Sequence, residues 1–445
     1  MLSTIFHYNP NASVNELVAG IEQFAAQNET FDGTSLIPLT SYPNETVRVQ
    51  AVKALGKLKS IDFLDTFIRI AEQDRSTLVK REAVSSIGRM RTPETIDKLI
   101  SMLQQPDPKV VCQAIRGLLV FKGEPKVDEA LKSLRNHPNE MVSSVINKEY
   151  FTEKKAKSSL PHTHSYPFLQ NVVVNADVLD VLKVLPEECF HLTFTSPPYY
   201  NARDYSIYQS YEEYLNFLKL VFEQVYRTTK EGRFLIVNTS PVIVPRISRQ
   251  HMSKRYPIPF DLHAILVKIG WDFIDDIIWL KPEYSVKNRV GGFEQHRKPL
   301  AYKPNAVTEY IMVYRKHSDK LLDWNMHQYD WQTQQESKVQ GKFETNNVWA
   351  INPKSDKVHS AVFPEELCKR VIEYYSYKGD LIFDPFGGSG TLGRTARVLG
   401  RYAFLAEKEK TYFEYMQTFE QNTSFFETKP VSFLTLEQFL NSIQV

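Results

Sequence analysis

Phe194-Thr195-Ser196-Pro197-Pro198-Tyr199 places a hydroxyl, two prolines and a phenol at the end of an apolar run. Phe190, Leu192, Thr193, Phe194 and Thr195 lead into it with the pattern of a short buried strand. Proline has no N–H and a fixed φ, so Pro197-Pro198 makes a rigid corner at the strand's end. Ser196 precedes a proline and is pushed toward an extended conformation. Such a loop turns backbone carbonyls outward beside an aromatic ring. A planar, nitrogen-bearing ring could stack on Tyr199 and donate its N–H groups to those carbonyls. An ordinary Pro-Pro turn after a core strand is the competing reading.

A second stretch with chemical potential lies downstream. Leu381-Ile382-Phe383 reads as a buried strand ending in Asp384-Pro385-Phe386-Gly387-Gly388-Ser389-Gly390-Thr391. A helix is predicted to about Gly400, then a strand, Tyr402–Ala406, ending at Glu407. A glycine loop between strand and helix lets the backbone approach a ligand closely, and an acid at the tip of the next strand can take the two hydroxyls of a ribose. Gly388 to Gly393 also fits G-x-G-x-x-G, a weak signal alone. In the common dinucleotide-binding order, the glycine loop follows the first strand. Here only 38 residues follow Glu407, too few for the rest of a sheet. The other strands must come from upstream, so the sheet is circularly permuted, which disfavours an NAD-dependent enzyme.

The elements that would position these loops are legible as alternating patterns. Strands are predicted at Val172–Asn175, Leu192–Thr195, Phe234–Asn238, Phe273–Leu280 and Glu309–Tyr314. A helix is predicted over Tyr211–Thr229, with Tyr214, Phe217, Leu218, Val221, Phe222 and Val225 on one face. This alternation argues for a parallel α/β sheet. Residues 43–150 repeat instead. Val47, Ala51, Ala54, Leu55 and Gly56 recur 32 positions on as Val79, Ala83, Ser86, Ile87 and Gly88, and 31 further as Val110, Val111, Ala114 and Gly117. Each unit reads as a helix pair with small residues at the crossing, resembling HEAT-type repeats, with residues 1–42 as a cap. Residues 151–166, with Lys154-Lys155-Ala156-Lys157-Ser158-Ser159, read as a linker. The expected domains are therefore a helical-repeat domain at 1–150 and an α/β domain at 167–445.

Across about residues 168–425, the Thr-Ser-Pro-Pro-Tyr signature and the permuted order resemble the beta class of amino-methylating DNA methyltransferases. The signature is most similar to the cytosine-N4 group. The resemblance implies a circularly permuted, Rossmann-like, S-adenosylmethionine-dependent methyltransferase sheet. It implies that Asp384, Pro385, Phe386, Gly387, Gly388 and Gly390 hold S-adenosylmethionine and that Glu407 takes its ribose. Phe363 and Pro364 match the helix-opening stretch that packs on the cofactor's methionine end. Asp177 matches the family's Gly-Asp pair near the adenine, although Asn175-Ala176 replaces the glycine. Ile277–Pro282 is similar to a strand beside the target-base pocket. Ser196, Pro197, Pro198 and Tyr199 become the catalytic loop. An exocyclic amine is a poor nucleophile, because its lone pair is delocalised into the ring. Ser196 and the carbonyl of Pro197 would accept its hydrogens and localise that pair, while Tyr199 stacks on the base extruded from the duplex. Carbon-5 methylation needs a nucleophilic cysteine, typically preceded by proline, and none of the three cysteines follows one. Two rivals remain: adenine-N6 methylation on the same fold, and a non-catalytic repeat scaffold with a vestigial methyltransferase domain. Intact Ser196, Tyr199, Gly388, Gly390 and Glu407 weigh against the second.

The formal net charge is only +2, so a hold on nucleic acid must come from local patches. Arg246, Arg249, Lys254 and Arg255 occur with no acid between Pro245 and Tyr256. Lys281–Lys316 holds eight Lys or Arg against three Asp or Glu, including Arg289, Arg297, Lys298 and Lys303. Glycines and aromatics interleave, as suits a surface gripping phosphates. His317–Asn347 is rich in Gln, Asn, Trp and Tyr, and amides can read base edges. Residues 285–347 are thus the expected DNA-contacting, target-recognition region. The expected partners are double-stranded DNA and, through the repeats, a cognate restriction or defence protein. No run of 18 apolar residues predicts a membrane span, and Met1–His7 lacks a basic segment before an apolar core, so no signal peptide is expected. Cys112, Cys189 and Cys368 form no Cys-x-x-Cys pair; no metal is expected, and a reducing cytoplasm fits.

Overall fold

In the computed structural model the chain divides into two compact units, Met1–Ala156 and Lys157–Val445. The described residues are 5–9, 11–27, 31–151, 160–200, 208–244, 248, 250–251, 253–286, 299–300, 302, 304–341, 343–354, 363–423 and 430–443.

The first unit is helical throughout its repeats. Asn44, Ser76, Asp107 and Asn139 cap the helices Glu45–Lys57, Thr77–Met90, Pro108–Leu118 and Glu140–Ile146. Each cap side chain accepts an otherwise orphaned backbone N–H, from Thr46 at 2.9 Å, Val79 at 3.4 Å, Lys109 at 2.7 Å and Met141 at 3.1 Å. These four helices pack on one another in succession. Small residues permit the close approach: a Cβ on Gly117 would lie 3.0 Å from the Cα of Gly88. The helices Leu64–Gln73, Ile96–Met102 and Pro125–Lys132 alternate with them. Arg48 is buried, and its Nε lies 2.8 Å from Asp74. It also donates to the carbonyls of Tyr42 and Pro43, so every arm of the guanidinium is satisfied. The expected repeat architecture is present.

The second unit is built on β1 (Val172–Asn175), β2 (Phe190–Thr195), β3 (Thr229–Thr239), β4 (Val242–Val244), β5 (Lys254–Tyr256), β6 (Trp271–Leu280), β7 (Thr308–Lys316), β8 (Val348–Ala350), β9 (Leu381–Asp384), β10 (Tyr402–Glu407) and β11 (Ser432–Thr435). Nine of these form one sheet in the order β11-β1-β10-β9-β2-β3-β7-β6-β8, and β4 and β5 pair as a separate ribbon. Every pairing in the large sheet is parallel except the two made by β7. Side chains alternate between two apolar layers. Leu381, Phe383, Phe404 and Ala406 enter one, and Ile382, Ala403 and Leu405 the other. A sheet covered on both faces reads as continuous apolar runs, which is why these strands are conspicuous in the sequence.

β9 and β10 come late in the chain yet lie in the middle of the sheet, between β1 and β2. That is the permutation inferred from chain order. From β9 the chain crosses through the helix Thr391–Val398 to β10 on one side. From β2 it crosses through the helix Tyr211–Thr228 to β3 on the other. The carboxyl ends of β9 and β2 therefore flank a topological switch point, where open α/β sheets bind ligands.

The amino ends of the same strands are fixed by a buried polar cluster. Arg233 on β3 donates from Nε to the carbonyl of His191 at 3.0 Å and from Nη1 to the Tyr329 hydroxyl at 2.9 Å, and forms an ion pair with Asp380. Asp380 also accepts the Tyr329 hydroxyl and the Tyr377 N–H. His191 accepts the N–H of Leu381 through Nδ1 at 3.0 Å, and burial pushes its pKa down to about 3, so the ring stays neutral. β3 thus extends beyond the predicted Phe234–Asn238, because a charged residue that breaks the apolar pattern is buried with partners.

Candidate active site

Pro197-Pro198 ends β2, and the glycine loop ends β9. The two strands pair Leu192 with Ile382 and Thr193 with Phe383, so their loops emerge side by side. A hydrogen bond ties them together: Thr195 Oγ1 donates to Asp384 Oδ1 at 2.7 Å. Asp384 also accepts the N–H of Phe386 at 3.1 Å. Burial pushes the Asp384 carboxyl up to about 6, against the lowering effect of those two donors.

The loops open onto a cleft of about 340 Å³. Ser196, Pro197, Pro198 and Tyr199 line it, as do Asp177, Phe363, Asp384, Pro385, Phe386, Gly387, Gly388 and Glu407. Two predicted site residues do not line it. Pro364 caps the helix Glu365–Tyr375, and Gly390, at φ +73°, turns the chain into the helix Thr391–Val398. A Cβ on Gly390 would meet the Met416 sulfur at 2.7 Å, so its role is to let that turn pack.

Glu407, at the tip of β10, accepts the N–H of Gly388 through one carboxylate oxygen and that of Glu409 through the other, each at 2.7 Å. Burial pushes its carboxyl up to about 7 despite both donors. Asn175 stands where the resembling family has glycine. Its amide reaches across and donates to the carbonyls of Glu407 at 2.8 Å and Lys408 at 3.2 Å, pinning the loop after β10. Asp177 caps the helix Val178–Val184 by accepting the N–H of Leu179 at 3.0 Å and pairs with Lys408 at 3.2 Å. Phe363 stacks on Phe194 with centroids 4.6 Å apart.

Tyr199 is held by a network absent from the sequence reading. Its hydroxyl donates to Glu309 Oε2 at 3.1 Å, and Asn238 Nδ2 donates to the same oxygen at 2.9 Å. Lys281 forms an ion pair with Glu309 and lies 4.7 Å from the Trp279 ring centroid. Burial and the neighbouring Glu309 carboxylate hold the phenol well above its ordinary range, so Tyr199 stays protonated. The end of β6 is therefore coupled to the Ser-Pro-Pro-Tyr loop. The cleft also contains Tyr208, Phe217 and Tyr412, whose positions in amphipathic helices or loops carried no signal of their own.

The basic residues divide by placement. Lys254 and Arg255 are exposed on β5, and the neighbouring Tyr256 packs on Tyr200, beside the catalytic loop, at 4.7 Å between centroids. Arg246, Arg249, Arg289, Arg297, Lys298 and Lys303 lie outside the described residues. The expected target-recognition interval needs correction. β7 is antiparallel to its neighbours, so the chain leaves it at the amino ends of the other strands. The helices Leu322–Met326 and Trp331–Glu336 then pack there, with Asn325 donating to the Glu231 carbonyl and Tyr329 to Asp380. Residues 322–336 are thus at the end of the sheet opposite the cleft. The carboxyl ends of β6 and β8 instead border an open groove of about 600 Å³ that includes Lys281, Tyr302, Asn305 and Asn352. Of the 151–166 segment, His162 packs within the second unit, bonded to the Glu231 carbonyl at 2.9 Å.

Comparison with known proteins agrees with this geometry. Residues 64–147 match the HEAT-repeat family. The chain is 30% identical over 228 residues to the Type II beta methyltransferase M.BslI of Bacillus sp. (strain NEB-606), spanning 49% of this chain but only 24% of that protein's length. It is 30% identical over 250 residues to the Type II methyltransferase M.Cfr9I of Citrobacter freundii, covering 49% of this chain and 76% of the relative. The S-adenosyl-L-methionine complex of a DNA modification methylase from Thermus thermophilus superposes with a TM-score of 0.48 at 25% identity, over 60% of this chain and 98% of that one. The DNA methylase family matches residues 190–418, just over half of the chain and both loops of the cleft, and the chain belongs to that family.

Proposed function

We propose that this chain transfers a methyl group from S-adenosylmethionine to the exocyclic N4 amine of cytosine in duplex DNA. The observation that carries the reading is a single cleft lined by both Ser196-Pro197-Pro198-Tyr199 and the glycine loop with Glu407. Its volume suits a nucleoside-sized ligand. Its polar groups are a carboxylate already held by two backbone donors and a glycine-rich backbone, and its walls are Phe363, Phe386, Leu392 and Tyr412. S-adenosylmethionine supplies an activated methyl sulfonium. The protein's task is then orientation and electrostatics. Glu407 accepts the ribose hydroxyls, Phe363 covers the methionine end, and Ser196 with the Pro197 carbonyl takes the hydrogens of the amine. Tyr199 stacks on the extruded base, and Glu309, Asn238 and Lys281 set its angle. Lys254 and Arg255 and the groove beside Lys281 lie where a DNA backbone could be gripped. M.BslI and M.Cfr9I are Type II methyltransferases, and a restriction–modification setting is proposed for this chain too.

The test is to incubate the protein with labelled S-adenosylmethionine and mixed-sequence duplex DNA and to identify the modified nucleoside. N4-methylcytosine supports the reading, and N6-methyladenine moves it to adenine. No transfer by a folded protein returns it to a non-catalytic scaffold.

Cofactor affinity should depend on pH in a defined direction. Ribose hydroxyls donate to the ionised form of Glu407, so binding lowers a carboxyl that stands at about 7 in the free protein. Affinity is then full above pH 7 and falls by about tenfold per unit below it. Calorimetry across pH 5.5–7.5 should show this rise in Kd. A constant Kd would remove Glu407 from the ribose role.

A further inference from the structure

The four capped helices of the repeat unit start at equivalent positions and pack in succession, so residues equally far past each cap fall in line. Nine residues past the caps stand Lys53, Ser85, Arg116 and Lys148, and five past the second stands Arg81. Offsets of five, nine and thirteen share one helical face. Lys53, Arg116 and Lys148 are exposed, and among the described residues none of the three has an ion-pair partner. Arg81 is half-buried, with an Nε that is buried and unpartnered. At offset thirteen, Lys57 donates to the Ala25 carbonyl at 3.1 Å, and Arg89 pairs with Glu82 at 2.6 Å. The nearby acids are engaged: Glu82 by Arg89, Glu22 by Gln50 and Glu149 by Lys122. The alternating helices differ. Asp65, Glu72, Asp97, Asp128 and Glu129 stand there against Arg69, Lys98, Lys126 and Lys132, and Lys126 is paired with Asp97.

We propose that the Lys53–Arg81–Arg116–Lys148 ridge is a track for the phosphates of duplex DNA, so that the repeat unit grips the substrate's backbone without reading its sequence. Packed helices lie roughly 8–10 Å apart, so four of them carry the ridge over about 25–30 Å. That is about eight base pairs at 3.4 Å each. A regularly spaced line of unpaired cations matches a regularly spaced polyanion, and the other helix set has no such line. The inference concerns binding alone and is independent of which amine receives the methyl group.

The test uses the full chain and a fluorescent 30-base-pair duplex of mixed sequence. Binding is followed by anisotropy from 50 to 300 mM salt without cofactor. In the triple variant Lys53→Gln/Arg116→Gln/Lys148→Gln, affinity at 100 mM salt should fall at least tenfold. The slope of log K against log salt should shrink by about 2–3, since each phosphate contact contributes about 0.9. A matched variant, Arg69→Gln/Lys98→Gln/Lys132→Gln, removes the same charge from the other helices and should bind as wild type. Unchanged affinity and slope in the first triple overturns the proposal, as does an equal loss in both, which would report net charge alone. Should the triple fail to fold, Lys53→Gln and Arg116→Gln alone should each lower the slope by about 0.9, and no change in either overturns it. Methyl transfer at saturating DNA, measured in parallel, reports separately on the catalytic reading.

Discussion

Replacing Tyr199 with alanine should cut methyl transfer by two orders of magnitude or more while leaving cofactor affinity within about twofold. The ring stands on the Ser-Pro-Pro-Tyr side of the cleft, and Glu407 and Gly388 on the other. Base–aromatic stacking contributes roughly 1–3 kcal/mol per base, a factor of about 5–150. The remainder of the loss comes from positioning, because the alanine also frees a Glu309 carboxylate that Tyr199, Asn238 and Lys281 now hold together. Tyr199→Phe separates these contributions. It keeps the ring and removes only the hydroxyl donated to Glu309, so the loss should be near tenfold, in line with about 1.5 kcal/mol for a hydrogen bond to a charged group. Single-turnover rates and calorimetry check both variants. If cofactor binding fell in step with methylation in Tyr199→Ala, the loop would belong to the cofactor and not to the base.

Gly388→Val should abolish measurable S-adenosylmethionine binding, with affinity lowered at least a hundredfold, in a protein that still folds. Gly388 has φ +52°, a conformation that β-branched residues avoid, and its N–H donates to Glu407 at 2.7 Å. Valine would strain the loop by about 1–3 kcal/mol and draw that donor away from the carboxylate. The catalytic unit buries apolar layers on both sheet faces, so a loop strain of that size should lower its melting temperature by only a few degrees. A cooperative melt combined with wild-type affinity by calorimetry would show that the glycine loop holds something other than this cofactor.

What could be read from the sequence depended on how each residue broke or kept a pattern. β2, β9 and β10 were legible because both their faces are apolar, and the permutation followed from the few residues left after Glu407. The repeat was legible through its small residues. β8 and β11 were not, because three or four residues at a sheet edge, half of them exposed, carry no periodicity. The amino end of β3 was hidden by Arg233, whose charge looks like a surface residue until Asp380 and Tyr329 are placed beside it. Both chemical loops could be named and are found on one cleft, but Glu309 could not. Nothing in a strand sequence says that its first acid faces a phenol 110 residues earlier. The amides of residues 322–336 suit base edges. The direction of β7, which no local pattern states, puts them at the other end of the sheet.

The central position of β9 and β10 also sets a timetable for synthesis. When β2 and β3 have emerged from the ribosome, the edge of β2 that β9 will occupy stays bare, and β1 has no strand beside it until β10 arrives. More than two hundred residues separate Thr195 from Glu407. At roughly 5–20 residues per second, translation leaves those edges open for about 10–40 s. A nascent chain with unpaired apolar strands is vulnerable to edge-to-edge association. The repeat unit, whose helices pack on sequence neighbours, can fold during that interval, while the catalytic unit must wait. Ribosome-bound chains stalled near residue 375 should therefore protect the repeats from protease and leave β2 cleavable. Slowing elongation over the last hundred codons should lower the soluble yield.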